Sequence, residues 1–217
     1  MKPCLILFAN GLLPEIPAAR RLIHPGDTII AVDGGTQHAL ALGLMPSVII
    51  GDLDSLTPAD RQLVQRSDAR LMEYPHDKNE TDLELALHYA IGQGFSEIVI
   101  VGALGGRLDQ TLANLSLLAD PRLAALDVHL DDGVEAAFFT RRACRLHGSV
   151  GDIVSLIPWG GPVTGLVTVG LHWPLQAETL ASYQTRGISN EMLAESADIT
   201  IQSGILLVVH RRLHLEP

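Results

Sequence analysis

Short, strongly apolar segments alternate with helical patterns through residues 1–130 of this chain. Several segments are nearly continuous runs of β-branched and aliphatic residues, as expected of strands that are covered on both faces of a sheet. This alternation predicts a parallel sheet with crossover helices on its faces. The predicted strands are residues 4–9, 28–32, 47–50, 97–101 and 127–130.

The helices of this first part have recognisable ends. Thr57-Pro58 is typical of an N-cap followed by the first helical residue. Thr81, with Glu84 three residues later, has the spacing of a capping box. Gly92 and Gly94 are placed to end the helix that Thr81 begins.

The second part of the chain loses the helical patterns and gains glycine and proline. Its strand-like segments are residues 152–157, 165–169, 198–202 and 205–209. The last two segments flank Ser203-Gly204, which predicts a hairpin with a tight turn. The sequence therefore predicts an α/β domain over residues 1–130 and an all-β domain, a sandwich or flattened barrel, over residues 131–217.

Composition narrows the functional classes. Hydrophobic residues make up 47% of the chain and charged residues 18%, which is typical of a globular protein. The net charge of −10 argues against a nucleic-acid partner. No signal peptide precedes the first apolar run and no run approaches the ~20 residues that cross a bilayer, so we expect a cytoplasmic protein with no membrane partner. Cys4 and Cys144 lack metal-ligand spacing and are expected to be buried, reduced thiols.

Polar or glycine-rich turns follow most of the predicted strands of the first part. In an open α/β sheet, ligands bind in the crevice beyond the carboxyl ends of the strands, so these turns are expected to converge there. The turns are Asn10-Gly11, Asp33-Gly34-Gly35, Gly51-Asp52-Leu53-Asp54-Ser55 and Gly102-Ala103-Leu104-Gly105-Gly106-Arg107.

Asp52 and Asp54 form the most informative of these turns. Two carboxylates two residues apart in extended backbone point to the same side and repel each other unless a cation lies between them. Mg2+ prefers a few carboxylate oxygens together with waters and substrate phosphates, so the pair predicts a magnesium site. The alternative is a pair of turn-forming aspartates, but Thr57 already supplies the next helix cap.

Two further segments have phosphate-binding chemistry. A helix start after Lys78 offers free N–H groups, Lys78 can neutralise phosphate charge, and Asp82 can complete a metal site. Gly105-Gly106 lets the backbone approach a phosphate, and Arg107 supplies a fork of donors suited to its oxygens. Asp109 can either orient Arg107 or bind the metal ion. A capped, solvated helix start and an ordinary βα loop are the alternatives. The chain contains neither GxxxxGK[ST] nor GxGxxG nor GxSxG.

Taken in chain order, these segments resemble the thiamine pyrophosphokinase (thiamine diphosphokinase) family. Each motif alone is moderately specific, whereas six in order over most of the chain are highly specific. The matching segments are Asp33-Gly34-Gly35, Gly51-Asp52-Leu53-Asp54-Ser55, Lys78-Asn79-Glu80-Thr81-Asp82, Gly105-Gly106-Arg107-Leu108-Asp109-Gln110, Gly170-Leu171-His172-Trp173-Pro174-Leu175 and Ile188-Ser189-Asn190-Glu191.

The resemblance implies an α/β domain and a β-sandwich, a homodimer with active sites at its interface, and conversion of ATP and thiamine into AMP and thiamine diphosphate. The implied Mg2+ ligands are Asp52, Asp54 and Asp82, and the implied catalytic set adds Arg107 and Asp109. The implied nucleotide-binding residues are Asp33, Gly34, Gly35, Lys78, Thr81 and Gln110. The implied thiamine contacts, from the partner subunit, are Trp173, Ser189 and Asn190. Asn79 stands where the family often has Asp and is expected to be peripheral, and no motif assigns a role to residues 56–73.

The implied mechanism is attack of the thiamine hydroxyl on the β-phosphorus of ATP, with AMP leaving. Positioning and charge neutralisation dominate such transfers, and Asp82 or Asp109 is a candidate acceptor for the hydroxyl proton. Another Mg-dependent nucleotide phosphotransferase or hydrolase, and a non-catalytic thiamine sensor, are the competing hypotheses. Trp173 and Ser189-Asn190 disfavour a hydrolase, which needs no acceptor site, and the acidic strand ends disfavour a sensor.

Overall fold

The structure is a computed structural model that describes residues 4–52, 55–75 and 77–214. The chain divides into two compact units, Met1–Gly133 and Val134–Pro217. Within the described residues, no helix combines the length and apolarity needed to cross a membrane. The first unit is α/β and the second is all-β, which confirms the predicted fold class.

The first unit is built on a parallel sheet whose central strand is β1. The strands are β1 (Leu5–Phe8), β2 (Thr28–Val32), β3 (Val48–Gly51), β4 (Arg70–Glu73), β5 (Glu97–Val101) and β6 (Asp127–Asp131). Their spatial order is β6-β5-β1-β2-β3-β4, and each neighbouring pair is parallel. All four residues of β1 are buried, because a central parallel strand is covered on both faces. The chain runs outward from β1 in one direction and returns on its other side, so β1 and β5 flank a topological switch point.

Five α-helices accompany the sheet in the described part of this unit. They are α1 (Ile16–Arg20), α2 (Gly35–Ala41), α3 (Pro58–Gln65), α4 (Asp82–Gly92) and α5 (Leu108–Leu118), followed by a 3-10 turn at Pro121–Leu123. The hydroxyl of Thr57 accepts from the N–H of Asp60, and the hydroxyl of Thr81 accepts from the N–H of Glu84. Gly94, just beyond α4, has a φ of +79°. The predicted caps and helix end are confirmed.

Residues 56–73, to which no motif assigns a role, supply α3 and the edge strand β4. Arg70, Leu71 and Glu73 are exposed, as befits a short strand at a sheet edge. An edge strand with this exposure has no apolar alternation, which explains why the sequence did not predict it.

The second unit consists of two antiparallel sheets. The strands are β7 (Glu135–Thr140), β8 (Ala143–His147), β9 (Ile153–Pro158), β10 (Val163–Val169), β11 (Glu178–Leu180), β12 (Asn190–Glu191), β13 (Ser196–Thr200) and β14 (Leu206–Arg211). One sheet has the order β12-β9-β14-β7 and the other β11-β10-β13-β8. Buried side chains alternate with partly buried ones along β9 and along most of β13, and the buried set forms the core of this unit.

The predicted hairpin around Ser203-Gly204 is wrong. β13 pairs with β8 and β10, whereas β14 pairs with β7 and β9, so the chain crosses from one sheet to the other between them. Ser203 instead forms an isolated bridge with Thr164. A sheet-to-sheet crossing needs the same turn residues as a hairpin, and the local sequence cannot distinguish them.

A buried hydrogen bond joins Asp152 to His210 in the second unit. The Asp152 carboxylate accepts from His210 Nε2 at 3.0 Å, from the Ser149 N–H at 2.9 Å and from the Leu213 N–H at 2.9 Å. Burial raises the pKa of Asp152, but these hydrogen bonds outweigh it and hold the pKa below its ordinary value.

Acid is therefore expected to destabilise the protein through Asp152. A carboxyl with a lowered folded pKa stabilises the fold above its unfolded pKa of about 3.9, and this contribution is lost as the pH falls through the folded pKa. Asp152→Asn should cost roughly 1–3 kcal/mol at neutral pH and should flatten the acid limb of the stability profile. Urea unfolding between pH 7 and pH 3 measures both effects. Asp60→Asn, at a partly exposed aspartate of the first unit, is the control, and an unchanged acid limb in Asp152→Asn would contradict the assignment.

Candidate functional site

A cleft of roughly 670 Å3 opens at the carboxyl ends of β1, β2 and β5. This is the position where the strand order reverses, as expected for a ligand site in an open α/β sheet. Its lining comes from the turns after these strands, from α2 and from the starts of α4 and α5: Ala9, Asn10, Gly11, Leu12, Val32, Asp33, Gly34, Gln37, His38, Thr81, Asp82, Leu83, Gly102, Ala103, Gly105, Gly106, Arg107, Gln110 and Asn114.

The turns after β1 and β5 lie backbone to backbone in this cleft. The N–H of Gly11 donates to the carbonyl of Gly102 at 2.6 Å, and a Cβ on Gly11 would lie closer than 3.0 Å to that carbonyl oxygen. Nε2 of His38, on α2, contacts the carbonyl of Gly11 at 2.8 Å. The cleft floor is thus fixed by close packing that only glycine permits.

Asp33 bridges the ends of β2 and β3. Its φ of +44° is in the left-handed region, which aspartate tolerates better than most residues. The N–H of Asp33 donates to the carbonyl of Ile50. The carboxylate of Asp33 lies so close to Gly51 that a Cβ on Gly51 would overlap one of its oxygens. The Asp33 carboxylate is therefore directly beside the backbone that leads into Asp52.

The predicted metal ligands are only partly described. Asp52 is half-buried just after β3, Asp54 lies outside the described residues, and Asp82 is the first residue of α4, which packs against β3. Within residues 4–52, 55–75 and 77–214 there is no cluster of three or more His, Cys, Asp or Glu side chains placed to hold a metal ion. Asp52 and Asp82 have the hard oxygen donors that Mg2+ requires, so the described ligands fit the ion chemically.

Lys78 and Asp82 form an ion pair beside the cleft. Nζ of Lys78 lies 2.6 Å from Oδ1 of Asp82, and the two side chains are only 13% and 22% exposed. The ammonium also lies 6.0 Å from the ring centroid of Tyr74. The fold therefore already compensates the Asp82 charge with a cation.

Arg107 and Asp109 form a bidentate pair at the start of α5. Nε and Nη2 of Arg107 donate to the Asp109 carboxylate at 3.1 and 2.6 Å, and both side chains are largely exposed. The hydrogen bond from Arg107 lowers the pKa of Asp109, and the same bond raises the pKa of Arg107. Asp109 orients the guanidinium, as one of the sequence expectations proposed, and stays ionised.

The remaining predicted nucleotide residues have distinct positions. Gly34 and Gln110 line the cleft, as does Thr81, whose hydroxyl caps α4. Gly35 is buried at the start of α2, where a Cβ would collide with the carbonyl of Phe8. Gly35 thus allows α2 to pack on the end of β1 and does not line the cleft.

The predicted thiamine residues all belong to the second unit. Trp173 is 55% exposed, and its ring centroid lies 4.4 Å from that of His172. Ser189 has a φ of +57°, and its N–H donates to Oγ of Ser155 at 3.0 Å. Asn190 is 4% exposed, and its amide bonds the backbone of Trp173.

Sequence reasoning missed several cleft residues. Gln37, His38 and Asn114 lie within helices and have no motif, and Asn10 was noted only as part of a turn. Nδ2 of Asn114 donates to the carbonyl of Ala103 at 2.9 Å. Asn114 lies four residues after Gln110, so both are on the same face of α5. This spacing is the sequence signal that could have identified Asn114.

Two family models match the chain. The model described as thiamin pyrophosphokinase, catalytic domain, matches residues 19–153. The model described as thiamin pyrophosphokinase, vitamin B1 binding domain, matches residues 144–206. The matches span both units.

Individual relatives and solved structures agree with these models. The thiamine pyrophosphokinase of Bacillus subtilis is 29% identical over 182 residues, covering 83% of this chain and 85% of the relative. Thiamine pyrophosphokinase 1 of Oryza sativa is 26% identical over 191 residues, covering 77% of this chain and 67% of the relative. The crystal structure of the Bacillus subtilis protein has a TM-score of 0.87 at 25% identity, covering 97% of this chain and 100% of that one. Yeast thiamin pyrophosphokinase has a TM-score of 0.75 at 16% identity, covering 96% of this chain and 86% of that one, and supports the fold alone.

Proposed function

This chain belongs to the thiamin pyrophosphokinase family, and on that premise we propose that it transfers the pyrophosphoryl group of ATP to the hydroxyl of thiamine, giving AMP and thiamine diphosphate. The observation that carries the proposal is the cleft at the switch point of the first unit, where acidic, basic and glycine residues converge. A second unit that matches a vitamin B1 binding model supplies the acceptor side.

We propose that ATP binds in this cleft with its phosphates toward α4 and α5. The N-terminus of an eleven-residue helix presents free N–H groups, and α4 and α5 both start at the cleft. Arg107 presents its fork at the start of α5, and Gly105 and Gly106 leave the backbone open to a phosphate. Asp33, Gly34 and Gln110 complete the nucleotide side.

We infer that Asp52, Asp54 and Asp82 would hold Mg2+. At these carboxylates a bound Mg2+ would supply positive charge against the phosphates of the nucleotide. Lys78, held against Asp82 at 2.6 Å, is positioned to take up negative charge on the transferred group. Asp82 and Asp109 are the candidates for accepting the hydroxyl proton, and each is paired with a cation, Asp82 with Lys78 and Asp109 with Arg107.

The acceptor residues are assigned to the second unit. The exposed indole of Trp173 offers an aromatic face to the cationic thiazolium or to the pyrimidine of thiamine. Ser189, exposed and in the left-handed region, is a polar contact close in sequence to the buried Asn190. The net charge of −10 does not repel a cationic substrate.

We propose a homodimer in which the acceptor residues come from the partner subunit. Exposed apolar side chains on both units support an interface: Leu108 and Leu112 lie one turn apart on α5, and Leu193 is exposed in the second unit. Light scattering should give twice the mass of one chain, and Leu108→Lys should weaken the association.

We place the protein in the cytoplasm. Cys4 and Cys144 are free thiols; Cys4 is buried as predicted, whereas Cys144 is only partly buried. Desolvation is the main cause that raises the pKa of each to about 12. Both thiols therefore stay protonated at neutral pH, and unpaired cysteines are usual in a reducing compartment.

The proposed reaction is tested by product analysis. The protein should release AMP from ATP only when thiamine and Mg2+ are both present, with one thiamine diphosphate formed per AMP. Release of ADP or of AMP without thiamine would favour a hydrolase or another phosphotransferase. Thiamine binding without turnover would favour a sensor.

Arg107→Lys is expected to lower kcat roughly 10- to 100-fold, because one charge-assisted hydrogen bond to the transferred group is lost. A lysine ammonium cannot reproduce the two parallel donors of the fork. Arg122, which is paired with Asp120 at 2.6 Å, lies outside the cleft, so Arg122→Lys is the matched control. Equal kinetics of the two variants would assign Arg107 to structure.

A further inference from the structure

The side-chain amide of Asn190 is occupied by backbone. Its Oδ1 accepts from the N–H of Trp173 at 3.0 Å and from the N–H of Glu191 at 2.9 Å. Its Nδ2 donates to the carbonyl of Trp173 at 2.8 Å. An amide side chain can form about four hydrogen bonds. Most of those of Asn190 go to the backbone N–H and carbonyl of Trp173 and to the N–H of Glu191.

Burial separates Asn190 from any ligand. The residue is 4% exposed, whereas Trp173 is 55% exposed. Asn190 is the first residue of β12, where it pairs with Val154 of β9 and faces the inside of the unit. A ligand in contact with the indole would therefore meet little of the Asn190 side chain.

The two residues before Trp173 are also bonded to the backbone of residues 191–192, which follow Asn190. The N–H of His172 donates to the carbonyl of Glu191 at 2.9 Å, and Leu171 forms a bridge with Met192. Residues 171–173 therefore run antiparallel to residues 190–192. The side chain of Asn190 supplies the hydrogen bonds to Trp173 at the end of this pairing. The backbone below the exposed indole is held on both its N–H and its carbonyl.

We propose that Asn190 is a positioning residue that acts on thiamine through Trp173, and this inference rests on the proposed function. By holding the Trp173 peptide, Asn190 sets the direction in which the indole projects and limits its motion. An aromatic ring that is already in its binding orientation loses less conformational entropy when it stacks on a ligand. The geometry thus favours an indirect role over the direct thiamine contact that the family resemblance implies for Asn190.

Asn190→Asp is the sharpest variant. An aspartate keeps the shape and the acceptors for the Trp173 and Glu191 N–H groups, but it replaces the Nδ2 donor by an oxygen that faces the Trp173 carbonyl. We expect KM for thiamine to rise roughly tenfold, with kcat and KM for ATP nearly unchanged. The Trp173 carbonyl loses its donor, so the indole is held less well and thiamine binds more weakly in the ground state and in the transition state alike. Asn190→Ser, which removes the amide without adding charge, is the second variant. Asp152→Asn, a buried change in the same unit that does not touch Trp173, controls for general destabilisation.

A double-mutant cycle with Trp173→Ala separates the two roles. If Asn190 acts through Trp173, adding Asn190→Asp to Trp173→Ala should raise KM for thiamine no further. If the two increases in KM multiply, Asn190 touches thiamine directly and the inference is overturned.

A ligand-free measurement keeps this inference separate from the proposed function. The chain has two tryptophans, so Trp159→Phe leaves Trp173 as the single tryptophan, whose emission can be excited selectively over that of the tyrosines. In that background, Asn190→Asp and Asn190→Ser should lower the fluorescence anisotropy of Trp173 and increase its quenching by acrylamide, while Asp152→Asn should not. Unchanged anisotropy overturns the inference even if thiamine binds. Absence of thiamine-dependent AMP release in the unmodified protein would count against the proposed function, and the anisotropy would still decide whether Asn190 holds Trp173.

Discussion

Asp82→Asn is expected to lower kcat on the order of 10^2- to 10^3-fold, the size of effect seen when one preorganised electrostatic group is removed from an active site. Asp82 lines the cleft at the first turn of α4, and its carboxylate is paired with Lys78 at 2.6 Å. An asparagine keeps the shape and can still accept from Lys78, but it lacks the charge that a divalent cation requires. AMP release measured against Mg2+ concentration tests this prediction, and Asp54→Ala should behave alike.

The control for Asp82→Asn is an acid at the start of another helix. Asp60 lies in the first turn of α3, where it bonds the Thr57 hydroxyl, and it is not part of the cleft. Asp60→Asn removes the same favourable interaction of a carboxylate with a helix N-terminus, worth about 0.3–1 kcal/mol, and should leave kcat unchanged. A kcat in Asp82→Asn close to that of Asp60→Asn would show that Asp82 only stabilises its helix.

The parallel sheet could be predicted from sequence because burial on both faces forces a local signature. The four residues of β1 are all buried and all strongly apolar, and such runs stand out without any knowledge of their partners. The cleft followed from the same signal, because the carboxyl ends of parallel strands meet at one edge. Arg107 and Asp82 were found in this way, from their positions relative to predicted strands and helix starts.

The rest depends on contacts between residues far apart in the chain. Whether residues 196–211 form a hairpin or cross between sheets is decided by the partners of β13 and β14, which local sequence does not specify. His38 reaches the Gly11 carbonyl across 27 residues, and Asn190 reaches Trp173 across 17. The sequence indicated the chemical type of Asn190, but only the fold shows that its amide faces backbone.

Gly51→Ala is expected to lower kcat on the order of 100-fold, because a displacement of about 1 Å in a positioned group can cost that much. A Cβ at Gly51 would overlap the Asp33 carboxylate, so either Asp33 or the backbone before Asp52 must move. The φ of +138° at Gly51 also disfavours alanine. Both acids belong to the proposed ATP and Mg2+ region, so the AMP-release assay should register the shift.

Gly43→Ala separates backbone strain from the collision with Asp33. Gly43 has a φ of +72°, and a Cβ there would meet nothing within 4 Å. An alanine in this left-handed conformation costs roughly 1–2 kcal/mol, which urea unfolding can measure, and it should leave kcat as it is. Gly51→Ala should lose a comparable amount of stability and most of its activity. If both variants retain activity, the contact between Gly51 and Asp33 has no part in positioning the site. If both lose it alike, strain and not the collision is the cause.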